Sequence, residues 1–240
     1  MAASAATGQS GRHLRADAAR NRQRLIEAAA EVFAARGLDA TLDEIARHAG
    51  VNVATAYRNF SSKHELAREF LQSCVDEAVA IVAEAARAPD PWAGLGQFLE
   101  RSVDQVVSNR ALVDLVTHSH GAAHPYRDEL FDQMHDRISG PLEELLARGR
   151  QAGVVREDIS VNDFPPMLHM LASLIPLGAP GIPEPPRRYI SLMLAGLRPG
   201  APLDGEPPTQ EQLRAAAACQ EAPPDPRPPH GSRGSHQRRY

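Results

Sequence analysis

Apolar side chains recur every three or four residues along most of the chain, the spacing that puts them on one face of an α-helix. The first such stripe is formed by Leu25, Ala29, Val32 and Phe33, and Gly37 ends the helix that carries it. Alternation of β-branched and polar residues, which is typical of strands, is almost absent. The pattern therefore predicts an all-α protein.

Two short helical patterns follow, separated by a glycine turn. Thr41 and Glu44 form a capping box for a helix that runs to about His48, and after Gly50 the side chain of Asn52 caps the next helix. Two short helices joined by so tight a turn form a helix-turn-helix, which lays its second helix in the major groove of DNA. The sequence thus predicts a nucleic-acid-binding motif near its N-terminus.

A long fourth helix begins after a serine cap and carries an apolar stripe from Leu66 to Val82, ending before Pro89. Its length suits a bridge between two domains. Further helices are predicted at about 91–108, through the bend at Gly140 and Pro141, and at about 160–177 and 185–197. The last two are apolar over a broad arc, which needs more than one surface to cover it.

Small and polar side chains dominate the second helix of the motif, and small side chains let a helix approach base edges closely. Ile45, Ala46 and Val51 are expected to hold the two helices together. The residues expected to point outward are Val53, Ala54, Thr55, Arg58 and Asn59. There an arginine can bond guanine or phosphate, an asparagine can bond adenine or phosphate, and a threonine or alanine can meet a thymine methyl group.

Four further residues suit phosphate oxygens, which position a protein on DNA without specifying sequence: Thr41, Asn52, Tyr57 and Lys63. The charge distribution agrees with this placement. Residues 12–70 carry 10 Lys+Arg against 8 Asp+Glu, whereas residues 71–198 carry 11 against 17. Contact with a polyanion therefore belongs to the N-terminal part.

Residues 41–66, TLDEIARHAGVNVATAYRNFSSKHEL, resemble the DNA-binding signature of the TetR family of transcriptional repressors. The matching positions are Thr41, Ile45, Ala46, Ala49, Gly50, Val51, Thr55, Tyr57, Phe60, Lys63 and Leu66. The resemblance covers about residues 20–70. Two departures are Asn52, where the family more often has a serine that also caps the helix, and Arg58 beside Asn59, which obscures the base preference.

The resemblance implies a homodimer in which a three-helix DNA-binding domain is joined through the fourth helix to a larger helical ligand-binding and dimerisation domain. It also implies that the helices at about 160–177 and 185–197 pack with their twins as a four-helix bundle. The expected organisation is a disordered basic leader at 1–18, a DNA-binding domain at 19–67, a ligand-binding and dimerisation domain at 68–198 and a Pro-rich disordered tail at 199–240. The leader either enters a minor groove or is simply solvated, and the basic tail is either solvated or a non-specific nucleic-acid contact.

A small molecule is expected among the helices at about 91–175, where it would move the fourth helix. The candidate pocket residues are Trp92, Phe98, His118, Met134, Met167 and Met170, which could equally be ordinary core. The cluster of His118, His120 and His124 could bind zinc or sense pH, but its spacing matches no common zinc pattern, so no metal is expected.

The sequence lacks the motifs of nucleophilic, metalloprotease and phosphate-loop enzymes, so no catalytic residue and no cofactor are predicted. It also lacks a signal peptide and an apolar run of membrane-spanning length, which indicates a cytoplasmic protein without a membrane partner. The predicted function is a ligand-responsive transcriptional regulator, most simply a repressor that a small molecule releases from a palindromic double-stranded DNA operator. The alternative is an all-α small-molecule-binding protein or enzyme whose helix-turn-helix does not bind DNA. The effector, the operator and its genes, and the choice between repression and activation are left open.

Overall fold

A computed structural model describes residues 4–109, 111–112, 127–173 and 185–219, most of which are helical. The helices are α1 (Ser4–Arg36), α2 (Leu42–His48), α3 (Val53–Asn59), α4 (Lys63–Ala86), α5 (Pro91–Val107), α6 (Arg127–Gln151), a 3-10 turn (Val161–Asp163), α7 (Phe164–Ala172), α8 (Pro185–Gly196) and α9 (Gln210–Cys219). No strand occurs in these ranges, which confirms the all-α prediction. None of the described helices combines the length and the apolarity that a membrane span requires.

Local sequence fixes where the short N-terminal helices begin. The Thr41 backbone N–H donates to Glu44 Oε2 at 2.8 Å, and the Glu44 N–H donates back to Thr41 Oγ1 at 3.2 Å. Asn52 Oδ1 accepts from the Ala54 N–H at 2.9 Å. Both predicted caps are therefore confirmed.

Helix α4 contributes to two separate hydrophobic cores. Its first half joins α1–α3 in the N-terminal core, whose largest fully buried side chains include Leu25, Phe33, Ile45, Phe60 and Phe70. Its last turns join α5–α8 in the C-terminal core, which is built around Ile81, Leu95, Phe98, Leu145 and Phe164. The bridging role predicted for this helix is confirmed.

Helix α6 is a single helix through Gly140 and Pro141, as predicted, and lies along α4. Arg68 of α4 pairs with Glu129 of α6 at 3.2 Å. Near the other end, Arg148 of α6 donates to the carbonyl oxygen of Ala88, just beyond α4, at 2.6 Å. The contact near the start of α4 is made near the start of α6, and the contact at the end of α4 is made near the end of α6. The two helices therefore run parallel.

The expected disordered leader is wrong for residues 4–18, since α1 begins at Ser4 and continues to Arg36 without interruption, while residues 1–3 lie outside the described residues. Helices were predicted from apolar stripes in the sequence, and residues 1–18 contain no such stripe. Once a helix is nucleated, however, each added residue gains a hydrogen bond, and alanine and arginine extend it at little cost.

The expected disordered tail is also wrong for residues 199–219, while residues 220–240 lie outside the described residues. Arg156 donates to the Ala201 carbonyl at 2.6 Å, and the Leu203 N–H donates to Asp158 at 2.7 Å. Arg214 of α9 forms an ion pair with Asp132 of α6. These polar contacts are long-range in sequence, so proline content alone did not reveal them.

Candidate nucleic-acid interface and internal cavity

The turn between α2 and α3 depends on Gly50, whose φ of +61° lies in the left-handed region that favours glycine. A Cβ atom at this position would lie 3.1 Å from a guanidinium nitrogen of Arg24. The same nitrogen donates to the Ala49 carbonyl at 2.6 Å, which ties α1 to the turn. The angle between α2 and α3 is therefore set by both the glycine and the arginine.

Helix α3 buries one face and exposes another. Ala56 and the following Phe60 are fully buried in the N-terminal core, whereas Ala54, Tyr57 and Arg58 are exposed. The Nε of Arg58 donates to the Ala54 carbonyl at 3.1 Å, which lays the side chain along the exposed surface of the helix. This face presents a small side chain next to a cation.

Three residues of α3 that were expected to point outward are only partly exposed and so are less available for contact with DNA. Val53 is half-buried and packs against the N-terminal core, so its outward placement is wrong. It packs inward because it lies in the same first turn as the cap and faces α1 and α2, which a short helix must use for burial. Asn59 is half-buried and donates to the Thr55 carbonyl at 2.8 Å, and Thr55 is itself half-buried.

The four residues assigned to phosphate have different environments. Thr41 and Asn52 are exposed caps, and hydrogen bonds from the backbone N–H and then the hydroxyl of Thr41 lower the pKa of Glu44. The exposed Tyr57 hydroxyl bonds to Asp43, and that carboxylate raises the pKa of the phenol. Lys63 Nζ donates to the Leu38 carbonyl at 2.9 Å and so holds the start of α4 against the loop after α1.

Sequence reasoning missed Arg22 as a supporting residue of this surface. Its guanidinium carbon lies 4.4 Å from the centroid of the Phe60 ring, and it pairs with Glu69 of α4. Stacking of a cation on an aromatic face stabilises the junction of α1, α3 and α4. The only sequence signal was the cluster of arginines in α1, because Phe60 and Glu69 are distant in sequence.

A partly open cavity of about 240 Å³ lies between α4, α5, α6 and the segment 161–168. Among the predicted pocket residues, Phe98 and Met134 line it. Trp92 does not, because it lies beneath Arg198, whose guanidinium carbon is 3.6 Å from the ring centroid. Met170 is 53 % exposed on the outside of α7, and Met167 packs on the C-terminal core.

Trp92, Met167 and Met170 do not line the cavity that the structure describes, and their assignment to a pocket stays a prediction. His118 lies outside the described residues, as do His120 and His124. Side-chain type suggested these residues, but the direction in which a helix turns them decides whether they reach a cavity.

Four polar residues line the cavity and were not predicted as pocket residues: Ser102, Gln105, His135 and Ser139. Ser102 is four residues from Phe98 on α5, and Ile138 is four residues from Met134 on α6. Helical spacing from the correctly chosen residues was thus the signal that could have found this face. In the described part of the chain, no cluster of three or more His, Cys, Asp or Glu could hold a metal ion.

Comparison with known proteins gives two family matches along the chain. Residues 25–70 match the family described as bacterial regulatory proteins, tetR family, and residues 90–199 match the C-terminal domain described as transcriptional regulator SbtR-like. A solved TetR transcriptional regulator from Streptomyces coelicolor is 30 % identical, with 75 % of this chain and 99 % of that chain covered and a TM-score of 0.53. The chain belongs to the TetR family of transcriptional regulators.

Two curated relatives are more similar in sequence but match a shorter stretch of the chain. The uncharacterized HTH-type transcriptional regulator TtgW of Pseudomonas putida is 51 % identical over 59 residues, which cover 24 % of this chain and 44 % of that protein. The HTH-type transcriptional activator FasR of Mycolicibacterium smegmatis is 48 % identical over 67 residues, which cover 28 % and 31 %. The matched stretches therefore span less than half the length of these relatives.

Proposed function

We propose that this TetR-family chain is a homodimeric, sequence-specific DNA-binding regulator that a small molecule releases from a palindromic operator. The observation that carries the proposal is the exposed face of α3, where Ala54 and Arg58 lie side by side on a helix held by Gly50 and the Arg22–Phe60 contact. A helix held in this way can enter a major groove without rearrangement.

The chemistry of that face supports base recognition by few residues. Arg58 can donate two hydrogen bonds to guanine, and the small side chain of Ala54 allows close approach and contact with a thymine methyl group. Tyr57, Thr41 and Asn52 are exposed around it and suit phosphate oxygens. Lys63 keeps one N–H on Leu38 and has two further donors for a phosphate.

Two faces of α8 support dimerisation. Ile190 of α8 and Leu197, which follows the helix, are buried against the C-terminal core, whereas Leu192 on the other side is 67 % exposed and Tyr189 is also exposed. Met170 on α7 is a further exposed apolar side chain. A second copy that packs on α7 and α8, the described parts of the helices predicted at about 160–177 and 185–197, would cover these residues, as the family's four-helix bundle implies.

Two connections could carry a signal from the cavity to the DNA-binding helices. Ala78 of α4 lines the cavity, and the same helix packs its first half in the N-terminal core. Helix α5 forms another wall of the cavity. Shortly after this helix, Ala111 and Leu112 are also buried in the N-terminal core. A ligand that shifts α4 or α5 would change the separation of the two recognition helices of a dimer, and only one separation matches successive groove faces.

We propose repression, binding without catalysis, and a cytoplasmic location. The relative FasR is named a transcriptional activator, and activation would use the same DNA contacts. A reporter that carries the operator upstream of a promoter separates the two, since deletion of the regulator raises expression under repression and lowers it under activation.

The decisive experiment is footprinting and mobility-shift analysis of the full chain on DNA upstream of its own gene, followed by selection from random duplexes. Under the proposal an inverted repeat is protected, with half-sites about one helical turn or a small multiple apart. The affinity should fall steeply between two salt concentrations, because phosphate contacts release counterions. A folded dimer that selects no sequence would instead indicate a small-molecule-binding protein or enzyme with a non-DNA-binding helix-turn-helix.

A further inference from the structure

The cavity has a chemical character that limits what it can bind. Most of its walls are apolar, with aromatic rings from α5 and α7 and aliphatic side chains from α6, of which Ile138 and Leu142 are examples. Apart from His135, none of the lining residues in the described ranges has an ionisable side chain. The described part of the walls therefore offers no permanent charge to a ligand.

Two acidic side chains of α4 near the cavity, Asp76 and Glu77, already have polar partners. Arg137 pairs with Asp76 at 2.7 Å, and both side chains are well exposed. Glu77 accepts from the amide of Gln105 at 3.1 Å. An ionised ligand would lose hydration and find no counterion among the described lining residues, which is strongly unfavourable.

The polar lining residues can serve one neutral hydrogen-bonding group. Gln105 donates its amide hydrogens to the Cys74 carbonyl and to Glu77, so its carbonyl oxygen is the group left to accept from a ligand. Ser139 Oγ and His135 Nδ1 lie 3.4 Å apart on α6, and Ser102 is only 7 % exposed on α5. A ligand that matches these groups avoids the cost of leaving them unsatisfied.

The size and aromatic content of the cavity narrow the class further. An engineered apolar cavity of about 150 Å³ in another protein binds benzene, so about 240 Å³ accommodates a larger ring system. The rings of Phe98 and Phe164 both line the cavity, with centroids 5.7 Å apart and planes tilted by 60°. This arrangement suits a third ring placed against an edge or face.

We infer that the cavity binds an uncharged, mainly aromatic molecule of about two fused rings that carries one neutral hydrogen-bonding group such as a hydroxyl. As the identity of the effector, this inference rests on the proposed regulatory function. As a statement about binding, it concerns the cavity alone.

The test compares three probes of the same skeleton with the full chain at pH 7 by isothermal titration calorimetry: 2-naphthol, naphthalene and 2-naphthalenesulfonate. 2-Naphthol is expected to bind most tightly, and the sulfonate about 100-fold more weakly or not at all, because a buried unpaired charge is costly. Sulfonate binding equal to that of the naphthol, or no binding of any probe, would overturn the inference.

Two adjacent valines on α5 provide matched variants. Val106 lines the cavity, whereas Val107 is 39 % exposed and is not among its lining residues. Val106→Trp should abolish naphthol binding by filling the cavity, and Val107→Trp should preserve it. Equal retention in both variants, or equal loss with unchanged thermal unfolding, would show that the site lies elsewhere.

Operator binding is measured on the same samples without any probe, which separates the two hypotheses. Naphthol binding with no DNA recognition supports the cavity inference and refutes the regulatory proposal. DNA recognition with no preference for the neutral probe supports the regulatory proposal and refutes the cavity inference.

Discussion

Arg137 on α6 donates to the carboxylate of Asp76 on α4 at a distance of 2.7 Å. Ile138, the next residue on α6, and Ala78, two residues further on α4, both line the cavity. Hydrogen bonds from Arg137 and then from Gln72 hold the pKa of Asp76 below its ordinary value. The ion pair thus joins a cavity wall to the helix that continues into the N-terminal core.

Breaking this pair should weaken communication more than folding. Arg137→Ala is expected to change the free energy of unfolding by less than about 1 kcal/mol, since the pair is exposed. It should also reduce the effect of a cavity ligand on operator affinity by about 0.5–2 kcal/mol, while affinity for each ligand alone changes little. Operator titrations with and without 2-naphthol measure this coupling.

The matched control for this prediction is Glu143→Gln, which removes an ion pair between Glu143 and Arg150 within α6 and joins no second helix. Glu143→Gln should leave the coupling between ligand and operator intact. The double variant Asp76→Arg with Arg137→Asp, which swaps the two charges, should restore the coupling lost in Arg137→Ala. Normal coupling in Arg137→Ala would exclude the pair from the signalling route.

Arg58→Ala should relax sequence choice on DNA. Loss of a bidentate arginine contact costs about 1–3 kcal/mol on the preferred duplex and much less on others. Lys63→Ala should instead weaken all duplexes by a similar factor, because a phosphate contact carries no sequence information. Competition mobility shifts with the preferred site and with single-base variants measure both effects.

Arg87→Ala is the control for these arginine and lysine variants, because this exposed residue follows α4 at the end remote from the helix-turn-helix. It should bind DNA like the parent. Unchanged discrimination in Arg58→Ala would mean that α3 meets DNA through a different face.

Gly50→Ala should destabilise the protein by about 1–3 kcal/mol, because alanine at a φ of +61° is strained. The added methyl group would also press on Arg24. Gly96→Ala, inside α5, is the contrasting variant. Its Cβ would meet the Leu194 side chain of α8 at an ordinary 3.8 Å, so the substitution should stabilise the protein by about 0.5–1 kcal/mol. Denaturant unfolding of both variants checks the two signs, and equal effects would contradict the role of the turn.

Asp158 should make folding stability pH-dependent. Hydrogen bonds from Arg156 and then from the Leu203 N–H hold the pKa of Asp158 far below its ordinary 3.8. A folded pKa below the unfolded one adds stability that is present above about pH 4 and is lost as the pH falls from 3.8 toward the folded value. Asp158→Asn should therefore lower Tm at pH 6, and its deficit should shrink as the pH falls below 4.

Glu157→Gln, the exposed neighbouring position, is the control for Asp158→Asn. Thermal unfolding from pH 6 to pH 3 compares the two variants with the parent. A Tm deficit of Asp158→Asn that does not change over this range would show that it arises from packing and not from the carboxylate charge.

Much of the candidate DNA surface could be predicted because its signals are local. Caps at Thr41 and Asn52 and the glycine turn lie within a few residues of the helices that they define. Val53 was misplaced because the burial of a residue in a seven-residue helix depends on which neighbouring helix covers it. Arg22 was missed because its partners, Phe60 and Glu69, come from later helices.

The sequence by itself determined the helical class, the starts of α2 to α5 and the motif that points to DNA, because periodicity, capping and turn residues act over one or two helical turns. The tertiary structure decided which side chains face the cavity and that α4 and α6 run parallel and are linked by the Asp76–Arg137 pair. It also decided that the backbone at Ala201 and Leu203 bonds to Arg156 and Asp158. These relations join residues far apart in sequence, and only the packing of helices brings them within contact distance.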